Sequence, residues 1–263
     1  MVDLNFRRRL AKDGILLGMQ CFTGSPGIVE ILGYAGYDWV SLDMEHATND
    51  FAQIEHLTRA ANCAGITPLV RVADNAPLPI MKALDAGAAG VIVPHVSSRS
   101  DLERAIAATL YPPRGIRGAC TATRASGYGA EPWKDFVARA NEGVVVVPLV
   151  EDKEAIDAFD DLLQMKEVPV YWIGITDLAQ SLGCPGADFR QPELASIAKS
   201  LNQRAAAAGK LLMATVSPHL TVDYAKYLVS IGFRLISFGA DLGTFSRTVN
   251  NIAKELRAPA ARI

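Results

Sequence analysis

The sequence predicts a closed (β/α)8 barrel, carried by one domain over residues 1–263. Three observations predict it. Eight short apolar runs alternate with helical segments along the 263 residues, and such alternation implies a parallel sheet. The runs are continuously apolar, as in strands covered on both faces. No G-x-G-x-x-G follows an early strand, which disfavours the alternative, a doubly wound open sheet. Eight units in a chain of this length match a barrel. We find no linker, low-complexity segment or repeat that would divide it.

Each element has a local cause. Residues 4–12 have a helical pattern broken by Asp13-Gly14, and Ile15 to Cys21 is the first strand. Ser25-Pro26 opens a helix with proline at its first position, running to about Tyr34. Asp38 to Leu42 is the second strand. Asp50 to Ala64 has helical apolar spacing closed by Gly65, and Thr67 to Val72 is the third strand. Pro77 to Ala86 is a helix ended by Gly87, Gly90 to Pro94 the fourth strand, and Arg99 to Ala108 a helix. Tyr111 to Gly129 is a long glycine-containing insertion, of the length that is often functional. Trp133 to Asn141 is helical. Gly143 to Val150 is the fifth strand, in which Pro148 is anomalous for a central position. Ala155 to Met165 is a helix and Val168 to Gly174 the sixth strand. Pro192 to Ala208 is a helix, Leu211 to Val216 a strand, Thr221 to Ile231 a helix, Arg234 to Phe238 the eighth strand and Leu242 to Leu256 the last helix.

Composition excludes several classes. The formal net charge of −2 favours neither nucleic acid nor an anionic membrane, and Arg7-Arg8-Arg9 is expected to be a solvated helix face. No apolar h-region follows the N-terminal basic residues. No apolar run approaches the roughly 18 residues of a transmembrane helix. The four cysteines, Cys21, Cys63, Cys120 and Cys184, form no C-x-x-C pair, which argues against structural zinc and a disulfide framework. A reducing cytoplasm is the expected compartment.

In such a barrel the reacting groups stand at the C-terminal ends of the strands. Strand two ends in Asp43, Glu45 and His46, strand three in Arg71, and strand five in Glu151. Strand six is followed by Asp177. Glu151 and Asp177 fall on neighbouring strands, where a hard divalent cation would remove their repulsion. All-oxygen ligation points to Mg2+ or Mn2+. Arg71 offers a planar fork for a substrate carboxylate, and His46 can move a proton near neutral pH. The set suits a 2-oxo acid held by its carboxylate and carbonyl. No strand tip carries a lysine, which counts against Schiff-base chemistry. Each residue also has a plain structural reading. His46 could be structural, Arg71 could pair with a nearby acid, Asp152 or Glu151 could be a loop acid, and Asp177 could cap a helix starting near Leu178.

The motifs resemble the HpcH/HpaI aldolase family of metal-dependent class II pyruvate aldolases. The resemblance runs from about Gly18 to Asp241. It rests on Asp38-Trp39-Val40-Ser41-Leu42-Asp43-Met44-Glu45-His46, Pro68-Leu69-Val70-Arg71-Val72 and the run from Leu84 to Pro94. It rests also on Tyr111-Pro112-Pro113-Arg114-Gly115-Ile116-Arg117-Gly118 and Asp177-Leu178-Ala179-Gln180-Ser181-Leu182-Gly183. It implies a (β/α)8 barrel, and a hexamer or trimer of dimers that exchanges its C-terminal helix. It implies Mg2+, Mn2+ or Co2+ on Glu151 and Asp177, and carboxylate binding by Arg71. It implies His46 as the acid–base residue, supported by Asp85, with Asp43 close by. Gly174 and Thr176, beside the second ligand, are the further substrate-binding candidates. The chain departs from the family at Leu149, where glutamine is common, and at Asp152, Ile175 and Ala179.

The activity so implied is reversible cleavage of a 4-hydroxy-2-oxo acid to pyruvate and an aldehyde. The alternatives are an oxaloacetate decarboxylase or acyl-CoA lyase on the same scaffold, or a non-catalytic sensor of a metal and a 2-oxo acid.

Overall fold

The computed structural model describes residues 5–12 and 14–257; the predicted helix start at residue 4 and the break at Asp13 lie outside them. Along the chain stand α1 (Phe6–Leu10), β1 (Leu16–Cys21), α2 (Pro26–Tyr34), β2 (Trp39–Asp43), α3 (Phe51–Ala64), β3 (Thr67–Arg71), α4 (Pro77–Asp85) and β4 (Gly90–Val93). Then come α5 (Arg99–Thr109), α6 (Trp133–Gly143), β5 (Val145–Val150), α7 (Lys153–Asp157), α8 (Phe159–Leu163) and β6 (Val170–Ile173). The last elements are α9 (Ile175–Ser181), α10 (Pro192–Ala207), β7 (Leu211–Thr215), α11 (Val222–Ser230), β8 (Leu235–Ala240) and α12 (Asp241–Arg257). The eight strands close in chain order into a parallel barrel, β8 pairing back onto β1.

Period-two alternation divides the core. Val40, Leu42, Val70, Val91, Val93 and Ile173 point outward and pack under the helices. Trp39, Leu69, Ile92, Val147, Leu149, Trp172 and Met213 point inward and fill the barrel. Trp39 and Trp172 meet edge to face at 5.9 Å, and the space for the first comes from Gly18, where a Cβ would lie 2.1 Å from the indole. α1 closes the N-terminal end with Phe6 and Leu10, both buried in this inner core.

Pro148 is accommodated by register. β4 ends where Val93 pairs with Pro148, and the ladder to β6 begins one residue later, at Leu149. The ring therefore sits where pairing passes from one neighbour to the other. The predicted helix 155–165 is two short helices, because the chain turns at Ala158, the cap shared by α7 and α8. The Arg7-Arg8-Arg9 run is not simply a solvated face. Arg9 pairs with Asp38, Arg7 donates to the carbonyls of Val144 and Glu167, and only Arg8 is exposed. Among the described residues no helix is long and apolar enough to cross a membrane.

All four cysteines are free thiols. Cys21 is fully buried, and burial, with Asp241 alongside, pushes its thiol up to about 12, so it stays protonated through the neutral range. The expected result is rapid alkylation of exposed Cys63 and Cys120 in the native protein at pH 8, with Cys21 labelled only after denaturation. Peptide mass mapping reads this directly.

Candidate active site

The site is built outward from Asp43, the last residue of β2. Its side chain is wholly buried. Oδ1 accepts the backbone N–H groups of His46 and Ala47 at 2.8 and 2.9 Å, and Asn49 donates to its carbonyl at 2.8 Å. These bonds fold the 44–47 segment over the strand end. Oδ2 accepts from Nε of Arg71, which the register places directly opposite on β3. Asp43, a catalytic candidate from the sequence, thereby holds Arg71 and the His46 backbone in place.

Arg71 lies between two carboxylates and an aromatic ring. Its Nη1 is 3.2 Å from Oε2 of Glu45, and its guanidinium stands 5.8 Å from the centre of the Phe22 ring. Among the described residues Nη2 carries no contact of this kind, which leaves it for a substrate carboxylate. Glu45 is largely buried and has two histidines beside it. His46 Nε2 is 3.7 Å from one oxygen, and His95 Nε2 is 3.4 Å from the other.

His95 follows β4 in the left-handed region, at φ 55°, which few non-glycine residues adopt outside strained or functional sites. That conformation aims its backbone N–H at Oε1 of Glu151, 2.8 Å away. Its ring Nδ1 lies 3.3 Å from the same oxygen. The sequence reading ended β4 at Pro94 and so passed over His95; the rule that selected His46 and Arg71, taken one residue further, selects it too. Glu45 stood on the strand-end list but received no role. Its place becomes visible only when β2, β3 and β4 are side by side.

Glu151 follows β5 directly and is 5% exposed. Burial raises its carboxyl above the usual range; the His95 N–H pulls it back, and the charges of Glu45 and Asp177 push it up again. β6 delivers Gly174, and α9 starts at once with Ile175, so Asp177 lies in its first turn and Gly174, not Asp177, is the cap. A Cβ on Gly174 would lie 2.8 Å from the Glu151 Cβ and 3.2 Å from its Oε2. Gly174→Ala should therefore displace the Glu151 carboxylate and weaken Mn2+ binding by roughly 10–100-fold, the size of effect seen when the support of a metal ligand is disturbed. Titration followed by the Mn2+ electron paramagnetic resonance signal measures it.

A cavity of about 280 Å3 opens at the C-terminal end of the barrel. His46, Arg71, Glu151, Gly174, Thr176 and Asp177 all line it. Leu149 and Trp172 line it as well, and among the described residues no lysine does. The predicted residue Asp85 does not line this cavity. Asp85 closes α4 and leads into β4, so it stands toward the opposite end of the barrel, 2.7 Å from Nη2 of Arg117. Arg117 is itself buried, 4.5 Å from the Tyr111 ring centre. One chain does not bring Asp85 to the cavity. Asp152, the departure beside Glu151, turns away to accept from Ala155 N–H at the start of α7 and from Ser97.

Glu151 and Asp177 fit a divalent cation. Two carboxylates share one rim, and one of them is buried with its charged form disfavoured. A hard ion with oxygen preference relieves that arrangement. Among the described residues no cluster of three or more His, Cys, Asp or Glu side chains forms a ready-made metal cage, so further positions on the ion would fall to substrate and water.

A closed parallel barrel with carboxylates, an arginine and a histidine at its C-terminal mouth defines a (β/α)8 lyase scaffold. Residues 18–248 match the family model for HpcH/HpaI aldolase/citrate lyase, and the chain belongs to that family. It is 32% identical over 248 residues to the 5-keto-4-deoxy-D-glucarate aldolase of Salmonella paratyphi C, covering 94% of each chain. An HpcH/HpaI aldolase/citrate lyase family protein of Burkholderia cenocepacia superposes with a TM-score of 0.89 at 30% identity, over 97% of this chain and 99% of that one. The citrate synthase SbnG superposes with a TM-score of 0.84 at 30% identity, over 97% and 98%.

Proposed function

We propose that this aldolase cleaves a 4-hydroxy-2-oxo acid to pyruvate and an aldehyde, reversibly, with Mg2+, Mn2+ or Co2+ held by Glu151 and Asp177. The observation that carries the reading is the convergence of Glu151, Asp177, Arg71 and His46 on one cavity. The substrate named for the Salmonella relative, numbered from its oxo-bearing end, is itself a 4-hydroxy-2-oxo acid.

When bound, the cation supplies Lewis-acid stabilisation of the negative charge that develops on the 2-oxo oxygen. The chain supplies the rest. Arg71, fixed by Asp43 and Glu45, holds the substrate carboxylate through its remaining donors. Gly174 and Thr176 border the same space. His46, held over the strand by Asp43, takes the proton from the C4 hydroxyl, a role worth roughly 10²–10⁴-fold in rate. The C3–C4 bond breaks, its electrons pass into the C2 carbonyl, the aldehyde leaves, and protonation at C3 gives pyruvate.

The test is proton exchange. Incubated with pyruvate and Mn2+ in D2O, the protein should exchange the methyl protons, and chelator should stop it. Borohydride should trap no adduct. Pyruvate binding without exchange would identify a sensor, a trapped lysine adduct would replace the mechanism, and oxaloacetate turnover without aldol cleavage would favour a decarboxylase.

The oligomer belongs to the same proposal. α12 exposes Leu242, Phe245, Val249, Ile252 and Leu256, spaced as one stripe of a helix; Phe245 is 68% and Leu256 82% exposed. A patch of this kind marks an interaction surface. Cover by another copy supports the exchanged helix, and with it a hexamer or trimer of dimers in which Asp85 acts across a subunit boundary. Four free thiols suit a reducing cytoplasm.

A further inference from the structure

The other end of the barrel holds a larger cavity, of about 610 Å3. It is bounded by the first residues of three strands, Leu16, Leu211 and Leu235. Strands of four to six residues, each rising about 3.3 Å per residue, put it ~15–20 Å from the catalytic mouth. Four cations line it: Arg7, Lys12, Lys210 and Arg234. No carboxylate does among the described residues; Asp13 lies outside them.

Three of the four are anchored by backbone carbonyls, which fix position without cancelling charge. Arg7 is held by Val144 and Glu167, and its Nε is buried with no hydrogen-bond partner. Lys210 Nζ donates to the carbonyls of Met165 and Val168, each at 2.7 Å. Arg234 Nε donates to Gly14 at 3.0 Å. Burial and the charge of Arg7 lower the Lys210 pKa, and Glu167 raises it in part. Arg7 also borders an adjoining cavity of about 120 Å3, on which the acids that partly offset it, Glu142 and Glu167, stand; neither acid lines the larger cavity.

Four cations around one partly apolar cavity with no carboxylate among its described lining residues attract an anion into it. A concave, partly apolar space with a few fixed polar groups is the usual form of a small-molecule site. We propose that the N-terminal end of the barrel is a second binding site, for a metabolite-sized anion bearing two or more negative charges. The site does not depend on the reading of the catalytic mouth. Phosphate and carboxylate anions share the chemistry that would be recognised, and two probes separate them.

The experiment is calorimetric titration of the metal-stripped full chain with inorganic pyrophosphate and, separately, with citrate. Three variants accompany the wild type. Lys12→Glu changes an exposed side chain and leaves the barrel intact. Lys12→Glu/Arg234→Gln removes two of the cations. Arg71→Met removes the cation at the catalytic mouth. The expected result is one saturable site for at least one probe, retained in Arg71→Met. Each floor variant should weaken it by roughly tenfold or more, the ratio expected for a lost charge-assisted hydrogen bond. Bound anion should also raise the unfolding temperature of the wild type by linkage. Absence of saturable binding in the wild type overturns the proposal. So does binding that survives Lys12→Glu/Arg234→Gln unchanged, or binding lost in Arg71→Met alone.

Discussion

Glu151→Gln should abolish Mn2+ binding and lower pyruvate release by about 10³-fold or more while leaving the fold intact. The size follows from Lewis-acid stabilisation worth several kcal/mol, at tenfold per 1.4 kcal/mol. The intact fold follows from the site. The amide oxygen of glutamine can still accept the His95 N–H that Oε1 accepts at 2.8 Å. The substitution also removes a charge that burial and two neighbouring acids disfavour. The unfolding temperature without metal should therefore be unchanged or higher. Mn2+ titration, scanning calorimetry and pyruvate release coupled to lactate dehydrogenase measure the three quantities. Native Mn2+ affinity and turnover in this variant would remove Glu151 from the reaction. A large loss of stability would instead make it a structural acid.

The fold was legible because the barrel strands are short, mainly apolar runs and several helices carry a recognisable cap. Asp50, Ser98 and Thr221 cap helices through their side chains, and the left-handed Gly65 ends α3 at φ 70°. The candidate site was legible to the extent that it stands at strand ends, which is why Arg71, Glu151 and Asp177 could be chosen from spacing. Three things were not. The three donors to the Asp43 carboxylate come from residues brought to it by the turn and by the neighbouring strand. Nothing local in Pro94-His95 signals a left-handed residue over Glu151, because its partner is a carboxylate from the end of a different strand. The position of Asp85 is a matter of topology. A residue that precedes its strand stands toward the opposite end of its own barrel.

Arg71→Met should separate binding from stability. Asp43 is fully buried and Glu45 10% exposed, so removing the guanidinium strands two carboxylates. Breaking a buried pair from one side costs about 3–5 kcal/mol, which for a chain of this size lowers the unfolding temperature by roughly 6–20 °C. Activity should fall separately. In the proposed role the lost contact is to the substrate carboxylate, which is charged in both ground and transition states, so KM should rise by roughly 10–100-fold with a smaller change in kcat. Adding Asp43→Asn tells the two effects apart. The amide oxygen of asparagine can still accept the N–H groups of His46 and Ala47, and one of the stranded charges is gone. Arg71→Met/Asp43→Asn should recover a substantial part of the stability, as coupled neighbours do, yet keep the raised KM. If KM returns to the wild-type value as the unfolding temperature recovers, Arg71 only supports the wall of the cavity, and some other donor holds the carboxylate.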